Sequence, residues 1–213
     1  MEGKKYSTKG RSVKGNEYMD FYHGSVKEGL TVLKPFDSRR SDLKEPCVFL
    51  TLNKQLALFY IWDLNRFPAK VPLLDVRKDG VIVFQEMFSG ALEYLYKGLS
   101  GYIYHCIGSY ELNSSIGINS VALSKNDVEI KDHEFIEDVY ERIIEYGKYG
   151  LFINEKYEEL PPFKHDSIRG WVMRWIKSNN CIRDKDSFLS RFYRDKYPMY
   201  WKEAEILDRN SLL

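Results

Sequence analysis

The sequence predicts an α+β fold, β-rich in its first part and helical in its last. Two observations carry this. Up to about residue 135, short runs rich in Val, Ile, Phe and Tyr alternate with Gly, Pro and Asp punctuation; beyond it apolar residues recur at spacings of three and four. The length, 213 residues, suits one domain with an elaborated end and is enough for a sizeable core. The expected organisation is a basic flexible tail over 1–18, a β core over 19–135 and a helical extension over 136–213.

Composition narrows the classes. Apolar residues at 44% and aromatics at 15% exclude a disordered chain. The 32 basic and 31 acidic residues nearly cancel, so overall charge does not point to nucleic acid or an anionic membrane. Cys47, Cys106 and Cys181 are too few and too far apart for a disulfide framework or a zinc knuckle and read as reduced thiols. The first residues carry Lys4, Lys5, Lys9, Arg11 and Lys14 but no apolar secretory segment, and no run approaches the roughly 20 apolar residues of a membrane span. A cytoplasmic protein is the expectation.

"MDFYHGS" reads as a first strand, and "CVFLT", bounded by Pro46, as a second. "NKQLALFYIWDLNRF" follows with Leu56, Phe59, Tyr60 and Asp63 at helical spacing and Asn53 able to cap it, predicting an amphipathic helix. "VPLLDVRKDGVIVFQEM" predicts a hairpin turning at Asp79-Gly80. "GALEYLYKGLSG" reads as a short helix, "GYIYHCIG" as a strand and "SVALSKNDVEI" as one more strand pair. Ile136, Val139, Tyr140, Ile143 and Ile144 make a helical stripe that Gly147 is expected to stop. Two or three helices fill the last sixty residues.

A first strand ending in His23-Gly24, then a β-strand–Thr51–helix unit with an aromatic after its first turn, resembles the ADP-ribosyltransferase fold. The likeness is to its His–Tyr–Glu branch, shared by poly-ADP-ribose polymerases, diphtheria-type toxins and rifampin ADP-ribosyltransferases. It is best over residues 19–63 and excludes the C-terminal helices. It implies a split antiparallel β core and NAD, used as substrate, whose ADP-ribose passes to an acceptor that the sequence does not identify. It also implies that His23 bonds the ribose beside nicotinamide and that the Gly24 backbone holds the carboxamide. The stacking aromatic would be Tyr60 or Phe59, with Ser25 and Thr51 in the same cleft. The residue types suit this chemistry: an imidazole offers a donor and an acceptor to a sugar, and a residue without Cβ admits a flat amide. Arg39, beside Arg40, would meet the pyrophosphate.

The family's third element is a glutamate on a later strand that stabilises the positive charge developing as nicotinamide leaves. Where it is expected, this chain has Ser120 or Val121; Glu129 is the nearest substitute, with Asp127 and Glu111 close in sequence. A second reading is therefore an inactive module that binds a nucleotide-like ligand or a protein partner in the same cleft. No metal site is expected, since His105-Cys106 has no second ligand pair. Phosphate-loop, Rossmann and nucleophile-elbow motifs are lacking. Neither a membrane nor a nucleic acid is expected as partner: aromatics and bases mix in the last helices, but acids are interleaved with them.

Overall fold

The computed structural model describes residues 18–37, 45–63, 73–112 and 120–210. All but the last residue of the expected basic tail, and the Arg39–Arg40 pair, lie outside them. The fold is α+β. A five-stranded antiparallel sheet has the order β7-β3-β1-β6-β9, from Val121–Ser124, Val48–Thr51, Met19–Ser25, Gly101–Gly108 and Asp132–Ile136. A three-stranded sheet β10-β5-β4 combines Phe152–Glu155, Ile82–Gln85 and Leu73–Val76, and a ribbon pairs β2 (Val32–Leu33) with β8 (Val128–Glu129).

The Asp79-Gly80 hairpin forms as expected: β4 and β5 are antiparallel, and Gly80 takes φ +86°, a left-handed turn that favours glycine. Asn53 caps α1 by accepting from the Leu56 amide at 3.0 Å. The helix is shorter than its pattern, however, running Lys54–Leu58. Beyond it the amides of Phe59, Tyr60 and Ile61 donate three residues back, to the carbonyls of Leu56, Ala57 and Leu58, so the chain tightens into turns that bury both Phe59 and Ile61.

Other departures concern pairing. "SVALSKNDVEI" does supply two strands, but β7 pairs with β3 and β8 with β2 rather than with each other. Ser124 turns the chain between them, its hydroxyl bonding both backbone groups of Asn126. Residues 132–136 form β9, one residue past the expected end of the β core, and β10 inserts a strand parallel to β5 between α3 (Val139–Lys148) and α4 (Pro162–Ser178). Gly147 lies inside α3; Gly150, at φ +70°, is the left-handed residue just past its end. With α2 (Ala91–Tyr96), α5 (Phe188–Lys196) and α6 (Pro198–Asn210), the helices close one large core in which Phe59, Phe84, Tyr96 and Phe152 meet Ile168, Val172 and Trp201. A second, smaller core of Phe21, Leu33, Leu50, Tyr104 and Val128 fills the other face of the five-stranded sheet beneath the ribbon.

Candidate functional site

Strand β1 is bound unequally on its two sides. All seven of its residues pair with β6, whereas β3 meets it only at Tyr22↔Thr51. Where the second ladder stops, the His23 ring reaches across, its Nδ1 2.8 Å from the Phe49 carbonyl. A carbonyl only accepts, so Nδ1 carries the hydrogen and, in the neutral ring, Nε2 is an acceptor. Burial pushes the His23 imidazole below its ordinary 6.5 against a smaller upward pull from the Phe49 carbonyl, which favours that neutral ring.

Gly24 is buried, and its glycine identity has a packing cause. A Cβ there would lie 1.9 Å from the Ala57 carbonyl oxygen and 3.0 Å from the Ile61 nitrogen. The last turn of α1 thus rests directly on the β1 backbone, and Tyr60 just beyond it packs, partly buried, against the larger core. Its amide donates to the same Ala57 carbonyl at 3.1 Å.

The structure brings His23, Gly24 and Thr51 to one seam but not to one face, and packs Tyr60 against the larger core instead. Thr51 and Tyr22 share a pair, and successive strand residues alternate. Thr51 therefore lies on the α1 side of the sheet and His23 on the other. Thr51 is buried, and its hydroxyl accepts from the Asn53 amide at 3.0 Å at the start of α1. Ser25 closes a turn by accepting from the Lys27 amide at 3.1 Å. Phe59 does not join the seam: it is 1% exposed, packed among Phe84, Tyr96 and Phe152, and its carbonyl accepts from the Tyr96 hydroxyl at 3.0 Å. Arg39 lies outside the described residues.

The acids expected in catalysis stand elsewhere. Glu129 is exposed on β8, paired with Val32, while its neighbour Val128 points into the smaller core. Glu111 is exposed in a loop. At the level of the seam, the Ser120 carbonyl accepts from the Leu52 amide at 2.9 Å, and the Ser120 hydroxyl oxygen is buried without a partner among the described residues.

Two polar groups on the α1 face escaped the sequence reading. His105 on β6 bonds Asp20 at 2.7 Å through Nε2 and Asp132 at 3.2 Å through Nδ1, and its ring stacks on Tyr22 at 5.4 Å. The carboxylates occupy opposite ring nitrogens and so share no point for a cation; the described residues contain no cluster that could hold a metal ion. On β9, burial opposes ionisation of Glu134, but the bonds from Lys54 and Arg142, each 2.7 Å, hold its carboxyl below the usual range. Half-polar alternation in "MDFY" and "YHCI" is the signal that could have exposed the first group.

Comparison of the chain with models of protein families, with curated proteins and with solved structures gives no match. No helix among the described residues is long and apolar enough to cross a membrane.

Proposed function

We propose that this chain binds NAD at the β1–β3 seam and transfers ADP-ribose to an acceptor, with His23 bonding the ribose. One observation carries the reading: His23 is fixed at the point where the two halves of the sheet part, its Nδ1–H spent on Phe49 and Nε2 left to accept from a hydroxyl. The parting of β3 from β1 also agrees with the split core that the resemblance implies. Cleavage of the nicotinamide bond would proceed with positive charge building on the ribose, and Glu129 is the acid that the sequence offers.

The position of Glu129 favours a second reading. It is exposed on the ribbon, and Ser120 stands where a carboxylate is expected. A module that binds a nucleotide-like ligand without cleaving it needs no acid there.

Nicotinamide release from NAD by the purified chain separates the two readings. Binding is read from the thermal midpoint, which a ligand of the native state raises. His23→Asn keeps a donor near the Nδ1 position for Phe49 and removes Nε2. It is expected to leave the ligand-free midpoint close to the parent's and abolish the rise with NAD. A parent whose midpoint NAD does not move, and which releases no nicotinamide, defeats both readings as far as NAD is concerned.

A further inference from the structure

On the face of the sheet opposite α1, the register of β1, β6 and β9 lines side chains up in two rows: His23, Tyr104, His133 and Ser25, Tyr102, Phe135. The inner part is covered. Tyr104 is buried; its hydroxyl donates to the Lys27 carbonyl at 2.6 Å and accepts from the Leu30 amide at 3.3 Å, strapping down the loop between β1 and β2. At β9, the last strand of the sheet, the cover ends. Phe135 is 53% exposed and His133 is exposed, and both rings lean on Tyr102, with centroids 5.2 and 5.6 Å away. Tyr102 in turn stacks on Tyr104 at 5.9 Å.

Charge follows the same alternation. Lys131 is exposed one alternation step before His133 and so stands on the aromatic face, whereas Asp132 and Glu134 alternate to the other face and are engaged there by His105, Lys54 and Arg142. Lys27 is exposed on the strapped loop. Burial and the nearby Glu28 carboxylate push the Tyr102 hydroxyl up, and Lys131, just before β9, is a cation in series with the rings of that edge strand.

We propose that this shelf binds single-stranded nucleic acid, with bases stacking on Phe135, Tyr102 and His133 and the backbone phosphates meeting Lys131 and Lys27. A flat, open strand face with rings at alternate positions and a lysine in series offers π-surface and positive charge at the spacing of successive nucleotides, and needs no enclosing pocket. An apolar peptide would leave Lys131 and His133 without counterparts. The near-zero net charge of the chain does not oppose this, because stacking depends on ring faces and the phosphate contacts on where the lysines stand. The proposal does not depend on the transferase reading, since binding is measured without NAD.

The test is fluorescence anisotropy of an end-labelled single strand of about twelve nucleotides against the full chain, over a range of salt. Saturable binding that weakens with salt is expected. Phe135→Ala should weaken it about ten-fold or more, and Phe135→Leu, which keeps bulk but not the π-face, nearly as much. Lys131→Ala should lessen the salt slope by about one. Phe135 is half exposed, so both variants should keep the parent's circular dichroism and melting point. Three results overturn the proposal: no saturable binding at low salt; Phe135→Ala and Phe135→Leu variants that bind as the parent does; or adenosine monophosphate competing at the same affinity as the strand, which would make the shelf a mononucleotide site.

Discussion

The two edges of β1 make the most instructive comparison in the molecule. Toward β6 the strand is zipped along its whole length; toward β3 it is joined at one residue pair and one imidazole. A full ladder shares its load over many backbone bonds, whereas the seam concentrates it on His23, Gly24 and the turn of α1 lying on them. A ligand-binding site needs backbone that is not committed to a neighbour, so the weaker edge is where one can be built.

Gly24→Ala should produce the largest effect. The new Cβ would meet a backbone carbonyl, which cannot move aside as a flexible side chain can, and that carbonyl already accepts from Tyr60. Separation of α1 from β1 is expected to cost about 3 kcal/mol or more, the upper end of overpacking penalties. Urea unfolding would measure it. A variant as stable as the parent would mean that α1 does not rest on β1 and that the seam is looser than described.

Glu86→Ala sharpens the contrast from the other half of the fold. Glu86 is buried at the end of β5 and accepts from four donors: the amides of Gly90, Leu92 and Tyr157 and the side chain of Asn154, at 3.2 to 3.3 Å. One carboxylate thus ties the second sheet to α2 and to the turn before α4. Removing it strands those donors, for a loss of about 3 kcal/mol, and should leave any NAD-induced rise in melting temperature intact. Loss of that rise at a matched temperature would show that the seam depends on the second sheet.

These two residues also mark what was legible in the sequence. Strands β1 and β3, the Asp79-Gly80 hairpin and α3 announce themselves through alternation, turn chemistry or helical period. The strand β9 does not, because "DHEFI" is an edge strand with charge on one face and exposed rings on the other. The strand β10 is four residues long, and its parallel partner is distant in sequence. His23-Gly24 stood out as a motif, but that Gly24 serves helix packing and that Phe59 belongs to the core are facts of tertiary contact. Glu86 carried no signal, since one acid between apolar residues looks like a solvated position until the donors around it are known.

The pH dependence of stability probes the seam more gently. The pKa of His23 is lowered in the native state, so the unfolded chain binds the proton more readily. The contribution is then fully present above the ordinary value of 6.5 and is lost as pH falls through the lower native value, with a slope of at most about 1.4 kcal/mol per pH unit for one proton. Glu134, also lowered, loses its contribution in a more acidic window, below its ordinary 4.5. Denaturant midpoints measured from pH 7.5 to 5 should fall in the parent and fall less in His23→Asn. Parallel curves would mean that the ring is not held neutral at the seam.

The smallest expected effect is that of Glu129→Gln. The residue is exposed, and its strand touches the smaller core through Val128, so stability should change by no more than about 0.5 kcal/mol. Catalysis is where this variant discriminates. The amide keeps shape and hydrogen bonding but not charge, and removal of a preorganised group near the developing cation costs about 10²–10³ in rate. From its exposed place on the ribbon, paired with Val32, Glu129 is expected to leave nicotinamide release unchanged. A drop of that size would require the β2–β8 ribbon to close over the β1–β3 edge when NAD binds, and the two edges of β1 would then no longer be sites of separate work. Unchanged turnover in an active parent would move the search for the acid to the seam itself, where Ser120 carries a buried hydroxyl and no described carboxylate bonds His23.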